Sequence, residues 1–434
     1  PLFAKERLNT EIEQSQRLSL TGAEDWTVSS SAGFSHLEPS IAFLGPERTD
    51  AFQVGAGLDR VFWNTGGRFS ATLQASRVSL NIDPTLRFPD SYYENKLELT
   101  YSHPLLRNKR GFLDRLDFNL KQYDIDFSEV RASESMEDFL ESSSLQFTRW
   151  VFLSEQVGIV WERLRLSEEE LGNARKRQQA NLVDKADVIR AEDAVRIWKQ
   201  NLVLAQSQQS AMQAELAVLV QDSRLQNLEP DFDLYAVSQQ PPLEQATATL
   251  KDNSRLIRLL RIRSRQLELA RQGFVETGRP DLSVVAQVNV KKLDDGLGNS
   301  MVLDKPDATI GLQFSYPLNN RTATHNVVRA DLKIAQLREQ IDQVVLELTS
   351  AYTGIYIQIA ELEKVLRLNR EQIESASERT NEELTLYNQG RGELTFVIQS
   401  RDNEQNAKLT YARNALNYQE LLVRASGLMD ELYR

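Results

Sequence analysis

An internal duplication constrains this 434-residue chain more than any other feature of it. Asn181-Leu-Val-Asp-Lys-Ala-Asp187-Val-Ile-Arg-Ala191-Glu192 and Gly390-Arg-Gly-Glu-Leu-Thr-Phe396-Val-Ile-Gln-Ser400-Arg401 resemble each other and start 209 residues apart, at 181 and 390. Each segment closes one long helical pattern and opens another, and each long pattern follows short alternating strands. A unit of strands, long helix, tight turn and helix that is used twice defines a repeat architecture.

The strands are read from period-2 alternation, which makes one face apolar and the other polar. Residues 26–36 place Trp26, Val28, Ala32 and Phe34 on one side. Residues 52–63 place Phe52, Val54, Ala56, Leu58 and Phe62 on one side, and Asn64-Thr-Gly-Gly67 is a turn signal. The pattern continues through 68–80 and 95–103, then returns at 282–290 and 308–316, on either side of a loop at Asp294–Asn299.

The helices are long. Residues 1–21 read as a helix, with Pro1 suited to its first turn. About 72 residues from Asn108 to Gln179 contain no proline and would span roughly 108 Å as one helix. Further helices are expected at 183–226, from the connector to Thr277, at 321–389 and at 393–433. In the helix at 321–389, Leu337, Ile341, Val344, Leu348, Ala351, Ile355, Ile359, Leu362 and Leu366 step mostly by three and four. Val345, Tyr352 and Leu368 lie off that seam, so the helix is apolar on more than one side, like a stave in a wall. Short helices stacked end to end would run beside each long one. The expected division is a first repeat at 1–226, a connector at 227–253 and a second repeat at 254–434, the fold class being mainly α with membrane β.

Charge and composition exclude some functions. With 51 basic and 62 acidic side chains the net charge is −11, which argues against a nucleic-acid groove. No run of about 18 apolar residues marks a transmembrane helix. The chain has no cysteine, as suits an oxidising compartment such as the periplasm. A leader is not legible from Pro1 onward, which decides nothing about processing.

Strands of this length and alternation fit tilted membrane-spanning β-strands. Trp26, Phe62, Trp63, Tyr92, Tyr93, Tyr101 and Tyr316 lie near strand ends, where interfacial aromatics belong. About six strands are too few for an ordinary closed barrel, and open edges cannot face lipid, so several chains must pool them. A trimer would supply about 18 strands if all join, or about 12 if only the pairs nearest the helices do. The hairpin at Asn64–Gly67 favours the larger barrel.

At this point the residues resemble the TolC family of outer-membrane efflux and secretion ducts, over essentially the whole chain. Asn181-Leu182-Val183-Asp184 with Asp187-Val-Ile-Arg-Ala191 resembles that family's first helix-turn-helix tip. Tyr387-Asn-Gln-Gly390-Arg391-Gly392, followed by Phe396-Val-Ile, resembles the second. His103-Pro-Leu-Leu-Arg107 and Ser315-Tyr-Pro-Leu318 resemble the leads from strand into long helix, and Pro1 resembles the proline near the family's first repeat. The resemblance implies a homotrimer with an outer-membrane β-barrel continuous with a periplasmic α-helical barrel. It also implies a periplasmic adaptor (membrane fusion) protein at the tips, an inner-membrane transporter as energy source and lipid around the barrel. There are departures: Asn181 replaces the first-tip glycine, Phe396 a second-tip aspartate, and Gln399 a further acid, which leaves a cation-binding gate without its acids there. At the first tip, Asp184 and Asp187 remain, as adaptor contacts, as a gate, or simply as the start of the next helix.

No chemistry of catalysis is visible. His36, His103 and His325 are scattered, and no cluster has metal-ligand spacing. Gly55-Ala-Gly57 lies inside a strand, Ser142–Ser144 lacks a nucleophile elbow, and Glu168-Glu-Glu170 reads as a solvated helix face. The sequence reads as a non-enzymatic duct without cofactor or metal. It would carry small molecules as part of a tripartite efflux system, or serve as the duct of a type I protein secretion system. A soluble coiled-coil interaction protein is the alternative of another class.

Overall fold

A computed structural model describes residues 2–38, 46–82, 89–302 and 304–433. Pro1, read above as a helix start, lies outside them. In chain order the elements are α1 (Leu2–Ser19), β1 (Thr27–Leu37), β2 (Arg48–Phe62), β3 (Gly67–Asn81), β4 (Ser91–Pro104), α2 (Leu116–Gln179) and α3 (Lys185–Val220). They continue with α4 (Leu243–Asn253), α5 (Arg255–Thr277), β5 (Asp281–Asp294), α6 (Leu297–Ser300), β6 (Lys305–Ser315), α7 (Arg321–Asn388) and α8 (Leu394–Leu428). β2, β4, β5 and β6 outrun the alternating stretches by three or four residues at one end each, because backbone pairing continues where the side-chain pattern fades. α2 starts at Leu116 rather than Asn108, since Asn108 and Arg110 take positive φ. Among the described residues no helix is long and apolar enough to cross a membrane.

Two compact units form, and they cut across the sequence repeats. The first takes Phe3–Val130 and Leu259–Gln340; the second takes Arg131–Arg258 and Ile341–Arg434.

In the first unit one antiparallel sheet of six strands runs β1-β2-β3-β4-β5-β6, so the second repeat adds its hairpin to the edge of the first. The turn after β2 is held by the segment before α2. Gly111 (φ +63) lies so close to the Trp63 carbonyl that any Cβ there would collide with it. Trp63 is buried, its ring 5.5 Å from Phe118 and its backbone N–H donating to Glu24 Oε1. Beyond the sheet, α1 packs on the start of α2: Thr10 and Ser128 hydroxyls meet at 3.1 Å, Lys121 pairs with Glu13, and Arg17 lies 4.0 Å over the Phe118 ring. On α5, Leu259 and Ile262 bury against Val130.

The second unit is a helical wall. Tyr352, Ile359 and Leu366 of α7 are buried and repeat every seven residues, against Ala412, Ala415, Tyr418 and Ala425 of α8. Alanines there let the helix axes approach closely. The α7 seam runs through Tyr352, while Ala351, which the sequence pattern favoured, is exposed. The long tyrosine fills a gap that the small alanines of α8 leave open. The connector is ordered by α8: the Tyr418 hydroxyl donates to the Ser238 carbonyl (3.2 Å), and Gln419 Nε2 donates to the carbonyls of Leu234 (3.1 Å) and Ala236 (2.7 Å). Its last part is the helix α4, which buries Ala246 and Leu250.

Candidate functional site

Strand register turns the sheet of the first unit into two chemically opposite surfaces. One row across all six strands reads Val28, Leu58, Ala71, Leu99, Val288, Ala308. The next row on that face reads Ser30, Ala56, Leu73, Leu97, Val290, Pro306. Between them, on the other face, lies Ser29, Gly57, Thr72, Glu98, Asn289, Asp307. A soluble sandwich would cover the apolar face with a second layer. Here it is open: Val28 is 76% exposed, Phe34 69%, Ile310 79% and Leu312 73%. A contiguous apolar surface of this extent marks an interaction with lipid or with another protein. β1 and β6 each pair on one side only, which leaves two open edges.

Four of the seven aromatics expected at an interface lie at the ends of this apolar face. Trp26 meets Phe69 edge-on at 6.0 Å, and Phe62 lies 6.5 Å from Tyr101. At the far end Tyr93 pairs across from Arg77. Tyr316 follows β6 and is 40% exposed. Two are placed otherwise. Tyr92 pairs with Val78 and so belongs to the opposite, polar-row face. Trp63 has left the strand for the turn and packs inward on Phe118.

In the second unit the two tips have one backbone design. After α2 the chain turns at Asn181 (φ 54), and the Leu182 N–H reaches back to the Arg177 carbonyl at 2.9 Å. After α7 it turns at Gly390 (φ 73), and the Arg391 N–H reaches the Leu386 carbonyl at 2.9 Å. This left-handed helix stop satisfies orphan carbonyls at the helix end. Asn181 replaces glycine without changing the turn, because asparagine tolerates positive φ. Asp184 is the residue before α3 and makes no side-chain cap; it is exposed. Asp187 lies in the first turn of α3, near its positive end, and pairs with Arg190 at 2.8 Å.

Behind the turns, Val188, Ala191, Leu394 and Val397 bury against Ala174 and Tyr387. Arg177 locks the tips together: its guanidinium lies 4.0 Å from the Tyr387 ring centroid and donates to the Tyr387 carbonyl at 2.9 Å. A groove of about 460 Å³ remains, lined by Asn181, Leu182, Val183, Asp184, Asp187, Tyr387 and Gly392 among others. On the outside Leu182 is 73% and Phe396 50% exposed.

Farther from the turns lies a buried charge network that no motif announced. Arg163 is fully buried and pairs with Asp402 (2.7 Å) and Glu170 (3.5 Å). Arg401 donates to Glu170 Oε1 at 2.9 Å, and Trp198 Nε1 donates to Asp402 Oδ1 at 3.2 Å. Burial pushes the Glu170 carboxyl up, opposed by Arg163 and Arg401. Glu170 is only 4% exposed, which corrects the reading of Glu168–Glu170 as a wholly solvated face. The triplet spans both sides of α2, and only its last member turns inward. Among the described residues no group of three or more His, Asp and Glu side chains is arranged to hold a metal.

Paired open edges, an apolar sheet face and long helices ending in two matched tips define the fold of outer-membrane channels. No protein-family model matches the chain, and no curated protein matches it in sequence. Solved structures do. The outer-membrane protein VceC of Vibrio cholerae aligns over 99% of this chain and 93% of its own, with a TM-score of 0.70 at 12% identity. The CmeC outer-membrane channel of Campylobacter jejuni aligns over 100% and 83%, with a TM-score of 0.68 at 12% identity. The open state of the MtrE outer-membrane channel of Neisseria gonorrhoeae aligns over 100% and 87%, with a TM-score of 0.68 at 14% identity. The chain thus has the TolC-like fold that its residues lead one to expect.

Proposed function

We propose that this chain is one protomer of a passive, trimeric outer-membrane duct. The observation that carries the reading is the sheet itself: six strands with a fully apolar row, a polar row behind it and unpaired edges at β1 and β6. In lipid an open edge leaves backbone groups unsatisfied, so β1 of one copy must pair with β6 of the next. Three copies close a barrel of about 18 strands, within the range of outer-membrane barrels. The polar rows then line a wet lumen and the apolar rows face hydrocarbon.

The helical wall of the second unit would extend into the periplasm. Its tips, with exposed Leu182, Phe396 and Asp184, are suited to a periplasmic adaptor protein. An inner-membrane transporter would supply the energy, and small molecules are the proposed cargo. The likeness to outer-membrane channels supports this localisation.

The test is mass determination of the detergent-extracted protein followed by single-channel recording in a planar bilayer. A trimer with discrete conductance steps is expected. A species released without detergent that never conducts would overturn the duct.

A further inference from the structure

On the apolar face, charge is confined to the strand ends: Arg60 at one end, and Arg77 with Arg48, Asp50, Lys292 and Asp294 at the other. Arg60 of β2 pairs with Phe69, in the row that continues to Tyr101, Ala286 and Ile310. Its guanidinium carbon lies 5.2 Å from the Trp26 ring centroid and 5.3 Å from that of Phe62. Its Nε is covered and has no hydrogen-bond partner, and among the described residues Arg60 has no ion pair. Arg77 of β3 sits on the same face at the other end, 5.7 Å from the Tyr93 ring. Phe69 and Arg77 are eight residues apart on β3 (77 against 69). At 3.4 Å per residue the two arginine levels are about 27 Å apart, close to the ~25 Å height of a barrel's apolar band.

An arginine exposed to the hydrocarbon core is strongly unfavourable, whereas at its edge it gains a phosphate partner. Aromatic rings at the same level favour the interface, where one side is apolar and the other wet. Lys109 and Arg110 add to the charge there. They precede Gly111, which touches the Trp63 turn just beyond Phe62, and both are exposed without an ion pair among the described residues.

We infer that Arg60, stacked between Trp26 and Phe62, is a binding site for the phosphate of an anionic phospholipid in the leaflet nearest the helices. The rings fix the guanidinium in a plane, and its free Nη edge presents a fork matched to two phosphate oxygens. The site rests on the outer-membrane reading above.

Native mass spectrometry of the detergent-extracted oligomer tests it, with phosphatidylglycerol, phosphatidylcholine and inorganic phosphate as probes. The intact protein is expected to retain phosphatidylglycerol over phosphatidylcholine. Arg60→Gln should weaken that retention roughly fivefold, the equivalent of about 1 kcal/mol for one basic side chain at a lipid surface. Trp26→Leu, which keeps the charge but removes a ring, should weaken it less, and carries the test if Arg60→Gln does not assemble. Equal retention by a variant that still conducts would overturn the site and leave the duct intact. Displacement of the lipid by millimolar phosphate would assign the site to the free anion instead. Failure of the unaltered protein to enter phosphatidylglycerol vesicles would overturn the membrane reading itself.

Discussion

Asn181 and Gly390 occupy the same position in the two tips of this chain, 209 residues apart (390 against 181) and both at positive φ, 54° and 73°. The correspondence continues beyond them. Val188 and Val397, and Ala191 and Ser400, keep the same spacing and are all buried. Asp184 and Glu393 are the equivalent residues before α3 and α8, and neither side chain caps its helix.

Left-handed backbone at the two turns predicts opposite responses to substitution. Asn181→Gly should be neutral or slightly stabilising, and Gly390→Asn should be tolerated. Asn181→Val should destabilise the tip by about 1–2 kcal/mol, because a β-branched residue resists positive φ. A Cβ at Gly390 meets open space, so Gly390→Ala would report backbone strain alone. Proteolysis rates at the tips, measured beside global denaturation, check this.

The buried network predicts a larger effect. Arg163 is the common partner of Glu170 and Asp402. Arg163→Met should destabilise the helical wall by less than the ~3–5 kcal/mol of a fully stranded buried charge, since Glu170 keeps Arg401 and Asp402 is 38% exposed. Combining it with Glu170→Leu should recover little of the loss, because the nearly buried Arg401 then loses its carboxylate. Chemical denaturation of the single and double variants reads the coupling.

Glu134 on α2 predicts a pH dependence. Burial, reinforced by the Asp430 and Asp138 carboxylates and offset only in part by Arg255, pushes its carboxyl up to about 7; Glu137 adds a further raising contribution. A group raised in the folded state favours folding below its unfolded value, near 4.5, and that contribution is lost as pH rises through about 7. Glu134→Gln should therefore be close to neutral at pH 5 and stabilising at pH 8. Melting temperatures of the two proteins at both pH values decide it; a difference independent of pH would refute it.

The duplication, the alternating strands and the long helices were legible because each depends on local periodicity. The Arg163 network was not, since it joins residues 239 positions apart (402 against 163) and no spacing announces such a pair. Tyr352 was placed off the seam because small Ala351 fits a heptad count as well as it does; only the alanines of α8 decide between them. Trp63 looked like an interfacial aromatic because it follows Phe62 directly, but the turn redirects it onto Phe118. Arg60 stands in a strand with an apolar alternation, and its stacking partner Trp26 comes from the segment before β1, which no local spacing joins to it.

The tips predict a binding phenotype. Asp184 is exposed without a cap role, and Asp187 pairs only with its neighbour Arg190. Asp184→Lys with Asp187→Lys should weaken binding of a purified periplasmic adaptor while the oligomer persists, since neither carboxylate supports the buried cluster behind the turns. Surface plasmon resonance against the immobilised adaptor measures the loss. Unchanged affinity would take docking away from this tip.

The two faces of the sheet predict the sharpest contrast, because a one-residue step along a strand changes the surrounding medium. Val54 pairs with Ala32 and Ala75 on the apolar face, and is 46% exposed there. The adjacent Gly55 pairs with Ser31 and Gln74 on the polar face. If the apolar face meets lipid, Val54→Arg places a charge inside the apolar band, two residues from the Arg77 level, and should destabilise the inserted state by about 1–2 kcal/mol. Gln74→Arg faces the lumen, so it should insert normally and shift ion selectivity toward anions. In a soluble sheet both positions would be equally wet and both arginines equally tolerated. Vesicle flotation of the two variants, followed by reversal potentials in a salt gradient, separates the cases: equal insertion of Val54→Arg and Gln74→Arg would mean that the apolar face is covered by protein rather than by lipid.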